Sequence, residues 1–379
     1  MDDAERRIVE RVLGDAWGDR VRIQGADIVA ERRHVVRVTA TDGRVAIVKR
    51  PRDADSAGRW GREPDGLTTE WAALDLLGLM PEPVAPRLLG GDADRRLVVV
   101  EELPADRTLA DSLLGDDAGV TRTDLVAYAE ALAGMGAWSI GRTDEHRATR
   151  RRRGLDPDAG SWWGQVVGRF TEAFLEAARG LGLATDRLEP EINEIVRTLD
   201  GRDGNAAVGL VHGDPCPDNV ILVDGRCRLL DFERSSWGSL ALDAGYLVAP
   251  FPSCWCFGRL PAGVAEPAVA AYQARLAAAV GPLGAEWDRA VAAALAGWVV
   301  VRAHVLSGLG DPDGDGEEWG TATMRPRLRS WLAALLAAPG ADAFPHMHGL
   351  ASGLADQVHT AWPEIDVPGY PAFVAAEVE

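Results

Sequence analysis

Leu210-Val211-His212-Gly213-Asp214-Pro215-Cys216-Pro217-Asp218-Asn219, followed by Leu229-Leu230-Asp231-Phe232-Glu233, is the stretch that decides how this 379-residue chain is read. An apolar run enters a turn that presents an acid at Asp214 and an amide at Asn219, and a second apolar run delivers another acid at Asp231. Val220-Ile221-Leu222-Val223 and Cys227-Arg228-Leu229-Leu230 flank the pair Asp224-Gly225, a pattern that predicts a hairpin whose ends bring Asn219 and Asp231 together. Phosphoryl transfer relies on positioning and charge neutralisation: it needs a carboxylate beside the attacking hydroxyl and hard oxygen donors for magnesium. Asp214, Asn219 and Asp231 supply those parts. Taken singly, H-G-D-P is a turn and D-F-E a strand end; in order, and joined by a hairpin, they point to phosphoryl transfer.

The strings H-G-D-x-x-x-x-N and D-F-E resemble those of the aminoglycoside phosphotransferase and choline kinase-like small-molecule kinases, a group with the protein kinase-like fold. The resemblance implies Asp214 as the catalytic base, Asn219 and Asp231 as magnesium ligands, and His212 as a brace of the catalytic loop. It also implies that Asp243, in Trp237-Gly238-Ser239-Leu240-Ala241-Leu242-Asp243, accepts backbone hydrogen bonds from that loop; a helix cap is the other reading of the residue. A strand lysine and a helix glutamate should further position the nucleotide phosphates. Arg44-Val45-Ala46-Ile47-Val48-Lys49 offers Lys49, and Thr68-Thr69-Glu70-Trp71-Ala72-Ala73-Leu74 offers Glu70 on the first turn of a helix. Alone, Lys49 is a surface strand lysine and Glu70 a first-turn acid favoured by the helix dipole.

By the same resemblance, the strand Arg96 to Val100 leads into a connector at Glu101 to Leu103, where Glu102 and Leu103 offer backbone groups to an adenine edge before Pro104 ends pairing. The segment Gly25 to Val38 occupies the nucleotide-loop position with one glycine, Gly25, so a glycine-rich phosphate cradle is poorly represented. Arg32 and Arg33 read as solvated and stay outside the site.

Strands with one helix, then a connector, then mostly helices around one catalytic hairpin indicate an α+β protein. The expectation is a protein kinase-like two-lobed fold: a small N-terminal antiparallel-sheet lobe with hinge over residues 1–103, and a larger, mainly helical catalytic and acceptor-binding lobe over 104–379. A chain of 379 residues is long enough for two cores. Helices are predicted at Thr108 to Leu114, Asp124 to Ala133, Trp162 to Leu181, Pro267 to Val280, Ala285 to Ser307 and Arg327 to Ala337, where alanine and leucine dominate.

A net charge of -18 and a pI near 4.9 repel nucleic-acid phosphate and anionic membrane, so neither is expected as a main partner, whereas a cationic substrate is compatible. The charged opening Met1 to Arg7 and the absence of a long uninterrupted apolar run predict no signal peptide or membrane span, hence a cytoplasmic protein. The acidic segment Asp311 to Glu318 has too irregular a frame for a calcium loop. Arg142, Arg147 and the run Arg150 to Arg153, where the helical pattern breaks up, read as a solvated basic loop or as the holder of an anionic substrate or acidic peptide. The four cysteines form no disulfide framework and lack paired zinc spacing, so reduced, packed thiols are expected.

Together these readings predict an ATP- and Mg2+-dependent phosphotransferase, with GTP an open alternative donor. It would move the γ-phosphoryl group to a hydroxyl of a small molecule, an antibiotic such as an aminoglycoside or a biosynthetic metabolite. One alternative is a kinase for Ser or Thr of a precursor peptide held by the arginine run. A second is a non-catalytic nucleotide-binding pseudokinase, motivated by the poor glycine loop and opposed by the intact Lys49, Glu70, Asp214, Asn219 and Asp231.

Overall fold

The charged opening of the chain folds as a helix because Asp2 caps it. The Asp2 carboxylate accepts the Glu5 N–H at 2.7 Å, and α1 (Asp3–Trp17) then runs to Gly18, whose left-handed φ of 76° ends it. Val9, Val12 and Leu13 line its buried face. That face packs on a five-stranded antiparallel sheet built from β1 (Ile23–Val29), β2 (Arg32–Ala40), β3 (Val45–Lys49), β4 (Leu88–Asp92) and β5 (Leu97–Glu101), with α2 (Gly66–Leu77) between β3 and β4. The spatial order β1-β2-β3-β5-β4 places β3 at the centre. Alternate residues meet in register across it, Val36 opposite Val48 and Val48 opposite Val99, with Val38 opposite Ala46, and these are the buried positions. The period of two expected of a half-buried strand is thus realised.

The computed structural model describes residues 1–29, 32–51, 66–203, 207–249, 251–306, 309, 318–363 and 366–374. Two compact units emerge from it. The smaller is Met1–Asp106 with Asp144–Asp158 and Arg228–Ser235; the larger is Arg107–Thr143, Ala159–Cys227 and Ser236–Glu379.

The larger unit is mainly helical. It opens with β6 (Arg107–Thr108) and α3 (Leu109–Leu114), where Thr108 and Asp111 form a reciprocal capping box. There follow α4 (Ala118–Ser139), α5 (Thr143–Arg152), most of which belongs to the smaller unit, α6 (Trp162–Gly180) and α7 (Leu188–Leu199). The segment around the H-G-D and D-F-E motifs carries β7 (Val208–Val211), β8 (Val220–Val223), β9 (Arg226–Leu229) and β10 (Ser236–Ser239). β7 pairs with β10, and β6, β8 and β9 form a separate three-stranded sheet. Asp224 and Gly225 join β8 to β9 with φ of 50° and 70°, the two positive values that a tight hairpin turn needs, so the predicted hairpin is present.

The remaining helices are α8 (Ala241–Val248), α9 (Glu266–Val280), α10 (Ala285–Val300), α11 (Ala303–Leu306), α12 (Met324–Ala337), α13 (Pro345–Ala361) and α14 (Pro371–Val374), with the short strands β11 (Glu318–Trp319) and β12 (Ala322–Thr323) before α12. α10 is buried on nearly every side, as its run of alanine, leucine and valine dictates. The single helix predicted over Ala285 to Ser307 instead breaks after Val300. Three consecutive β-branched valines crowd the last turn, Arg302 N–H closes a tight bond to Val299 O at 3.1 Å, and the Arg302 guanidinium lies 4.3 Å over the Trp331 ring. Among the described residues no helix is long and apolar enough to cross a membrane.

A buried acid ties two of these helices together. Glu191 of α7 accepts the N–H groups of His346 at 3.0 Å and Met347 at 2.8 Å, and so caps the start of α13 from 155 residues away. Glu191→Ala leaves both amides without that acceptor and should lower unfolding free energy by roughly 1–3 kcal/mol, read as a lower urea midpoint at unchanged slope. A midpoint equal to wild type would remove this role.

Candidate active site

In the smaller unit the site begins with a lysine at the end of a strand, its side chain 17% exposed. Lys49 closes β3 between Val35 of β2 and Val98 of β5, and its Nζ donates to Glu70 Oε1 at 2.5 Å. Glu70 stands on α2, 4% exposed. Neither residue follows its surface reading. Burial pulls the Lys49 ammonium down, but the carboxylates of Glu70, Asp231 and Glu233 outweigh it and hold its pKa above the ordinary lysine value. Removing one member of such a buried pair costs about 3–5 kcal/mol, because the other charge is left without compensation.

The D-F-E motif joins this pair. Asp231 has the left-handed backbone φ 65°, ψ 66° and opens a single 3-10 turn, Phe232–Arg234, which packs on α2. Phe232 is fully buried, and its N–H donates to the Glu70 carboxylate. A non-glycine residue in this region carries strain of about 1–3 kcal/mol and tends to mark a functional position. The structure therefore brings Lys49, Glu70 and Asp231 together.

α2 is pinned by a residue that the sequence reading placed elsewhere. The Arg153 guanidinium lies 3.9 Å over the Trp71 ring, and its Nη2 is 2.6 Å from Asp75 Oδ2, so it grips the helix on residues that follow Glu70. The arginine-rich segment is accordingly not a loop: Thr143–Arg152 is α5, with acids in its first turn and arginines in its last, the order the helix dipole favours. Arg150 Nε donates to Asp156 O at 2.7 Å, and Arg147 pairs with Asp158 at 2.8 Å.

Glu102 and Leu103 follow β5. The Glu102 carboxylate takes a two-pronged pair from Arg37, with Nε at 2.6 Å and Nη2 at 2.9 Å, and Leu103 O accepts from Ala105 N–H at 2.8 Å in a three-residue turn. The segment assigned to the nucleotide loop forms the β1–β2 hairpin; its tip, Ala30-Glu31, lies outside the described residues, as does 311–317 of the acidic segment.

In the larger unit, β7 ends at Val211, opposite Ser236 of β10, and the chain beyond needs other hydrogen-bond partners. Asp243 of α8 supplies them: its Oδ2 accepts His212 N–H at 2.9 Å and its Oδ1 accepts Gly213 N–H at 3.4 Å. The first N–H of α8, at Ala241, goes to Ser239 Oγ at 3.4 Å, while the Asp243 carboxylate accepts from the loop, which agrees with the loop-acceptor reading of Asp243. His212, fully buried, accepts Asp214 N–H on Nδ1 at 3.3 Å. Gly213 takes a φ of 80°, a conformation only glycine adopts freely. Its carbonyl accepts from Trp163 Nε1 at 2.8 Å, and the next carbonyl but one, Pro215 O, accepts from the Tyr128 hydroxyl at 2.6 Å. Asn219 Nδ2 donates to Asp214 O at 3.0 Å, which directs the amide oxygen the other way. Asp214 and Asn219 are thereby brought together on one fixed loop, with Asp214 half-buried.

Trp163, Tyr128 and Arg153 were not visible as site residues in the sequence. Two of them hold backbone carbonyls, which leave no side-chain signature at the partner position, and the separations are 50 and 87 residues.

The sequence model of the phosphotransferase enzyme family matches residues 27–304, a span that includes Lys49, Glu70, Asp214, Asn219 and Asp231. The chain belongs to that family. It is a phosphotransferase, and its fold is the protein kinase-like one. Among solved structures it is similar to a candidate aminoglycoside phosphotransferase from Ralstonia eutropha JMP134, at 14% identity and TM-score 0.52 over 94% of this chain and 98% of that one. It is also similar to a choline kinase from Cryptosporidium parvum Iowa II, at 10% identity and TM-score 0.50 over 95% and 98%. At these identities the likeness is one of fold. No curated protein matches the sequence significantly.

For this phosphotransferase the loop brace carries a pH signature. Burial pushes the Asp243 carboxyl up to about 7, against the two amide hydrogen bonds that pull it down. A carboxyl raised in the folded state keeps its proton where the unfolded chain has lost it. Its contribution is therefore largest near pH 4 and declines as pH rises to about 7. Relative to Asp243→Asn, wild type should lose stability by roughly 1 kcal/mol per pH unit across that window and level off above it. Urea midpoints measured for both proteins at several pH values test this, and parallel curves would contradict it.

Proposed function

We propose that this phosphotransferase uses ATP with magnesium to phosphorylate a hydroxyl of a small, cationic molecule. The observation that carries the reading is the partly buried Lys49–Glu70 pair at 2.5 Å with Asp231 in its electrostatic field, since a lysine and a carboxylate so placed are suited to phosphate and metal rather than to packing.

The residues present fit magnesium. Asp231 offers a carboxylate from a strained backbone position, and Asn219 offers an amide oxygen turned away from the carbonyl its nitrogen engages. Both are hard donors of the kind magnesium takes from proteins, with phosphate and water completing the shell. When bound, the cation would neutralise charge on the nucleotide phosphates. Lys49, held by Glu70, would contact those phosphates, and Asp214 would orient the acceptor hydroxyl and take its proton. The acceptor oxygen then bonds to the γ-phosphorus as the bond to the departing nucleoside diphosphate breaks. Glu102 and Leu103 are proposed to meet the adenine edge through their backbone.

The net charge of -18 supports a cationic acceptor over an acidic peptide or nucleic acid. The intramolecular partners of Arg147, Arg150 and Arg153 draw much of the arginine-rich segment away from the precursor-peptide reading. Aminoglycosides and choline, named for the two structures of similar fold, are cationic hydroxylated molecules and head the acceptors to try.

A transfer screen with ATP and magnesium across aminoglycosides, amino alcohols and hydroxylated metabolites should give a product heavier by one phosphoryl group. Asp214→Asn should lower the rate by about 10²–10⁴ while nucleotide affinity stays near wild type. Equal turnover in that variant would sink the base assignment. Separately, Asp231→Ala should abolish the magnesium-dependent part of nucleotide affinity in calorimetry, and retained dependence would place the metal elsewhere.

A further inference from the structure

The four cysteines are free and three of them are buried, as expected of reduced, packed thiols, yet two of them meet an acid despite lacking paired zinc spacing in the sequence. Cys216 Sγ, a carboxylate oxygen of Asp218 and Cys254 Sγ all lie within 4.8 Å of one another. Cys254 Sγ is 3.6 Å from Asp218 Oδ1, and Cys256 Sγ is 3.4 Å from Cys254 Sγ. Ligands of a tetrahedral zinc ion at about 2.3 Å from the metal stand roughly 3.8 Å apart, and the 3.6 Å between Cys254 Sγ and Asp218 Oδ1 is close to such an edge.

The cluster is also built rather than incidental. Cys216 and Asp218 flank Pro217 on the single turn Pro217–Asn219, following Pro215, so two prolines stiffen the segment that carries them. Cys254 and Cys256 come from the loop after α8, which the fully buried Arg327 of α12 holds by donating from Nη1 to Pro252 O at 2.9 Å and to Cys254 O at 2.5 Å. The Tyr246 hydroxyl lies 3.2 Å from Cys216 Sγ and 2.7 Å from Ser253 Oγ, and so links the two segments. Cys254 is buried, whereas Cys216 and Asp218 are each partly exposed, which leaves the group reachable from solvent.

We propose that Cys216, Asp218 and Cys254 form a binding site for one thiophilic divalent cation of the zinc class, distinct from the magnesium proposed at Asn219 and Asp231. Two thiolates and a carboxylate select a soft or borderline ion, whereas magnesium takes oxygen donors. Cys256 and the Tyr246 hydroxyl stand behind the sulfur ligands as outer-shell partners. Binding displaces the thiol protons of Cys216 and Cys254. An ion at this position joins two segments 36 residues apart, one of them the turn that ends at Asn219.

The test is titration of the reduced, metal-stripped full chain with Co2+, followed by its thiolate-to-cobalt charge-transfer absorption. One Co2+ per chain is expected, displaced by Zn2+ and not by excess Mg2+. Cys216→Ser and Cys254→Ser should each lose the band. Cys227→Ser, a buried cysteine on β9 outside the group, should keep it. Asp218→Asn, at a partly exposed position where folding is less at stake, should weaken Co2+ affinity by on the order of tenfold or more. Absence of the band in wild type, its survival in folded Cys254→Ser, or unchanged affinity in Asp218→Asn would each overturn the site.

Discussion

A carboxylate removed from water needs donors or a cation in place of its hydration, and this constraint shapes both units of the protein. Glu70 receives Lys49 Nζ and the Phe232 N–H; Asp243 receives two amides of the H-G-D loop; Glu191 receives two amides at the start of α13; Asp124 receives Arg107 at 2.8 Å and Ser112 Oγ at 2.6 Å. Each of these acids reaches to a different segment of the chain. An apolar residue of similar volume would often be as stable in such a place. It would not hold a particular backbone amide or ammonium at hydrogen-bonding distance, and here the held groups are the strand lysine, the H-G-D loop and a helix end.

The H-G-D loop shows how this restraint is divided. Side chains from α4, α6 and α8 each take one or two of its backbone groups: Tyr128 the Pro215 carbonyl, Trp163 the Gly213 carbonyl, Asp243 the amides of His212 and Gly213. The Asp214 side chain makes none of these bonds itself. Its backbone is fixed from both directions, through Asn219 Nδ2 on its carbonyl and His212 Nδ1 on its amide. Rigidity of the loop backbone is thus supplied by partners other than the side chain of the proposed base.

Much of this was legible because the relevant signals are local. The valine-rich run ending in Lys49, the alternation around Asp224-Gly225 and the spacing of H-G-D to Asn219 each sit within about a dozen residues, the range over which strand period and turn chemistry act. Asp243 was readable only through resemblance, since nothing near it in the chain says that its partners lie 30 and 31 residues upstream. Arg153 misled for a physical reason. A run of arginines looks solvated, yet a guanidinium keeps its charge while stacking on an indole, and Trp71 offers that face. The cysteine cluster escaped because spacing rules look for paired ligands on one turn, whereas Cys216 and Cys254 meet through the packing of two separate loops.

The two left-handed residues of the site carry the last point. At Gly213 the φ of 80° is relieved by the absence of a side chain, because that position contributes only backbone. At Asp231 the φ is 65° and glycine would adopt it with less strain, but glycine would remove the carboxylate that stands in the field of Lys49 and Glu70. Strain is kept where the side chain is needed. It persists because the following turn is over-determined: Phe232 is buried, its amide is held by Glu70, and its carbonyl accepts Ser235 N–H at 3.0 Å. The geometry that sets the Asp231 carboxylate is therefore maintained by the neighbours of Asp231, so substitutions at Phe232 or Glu70 act on the proposed metal ligand without touching it.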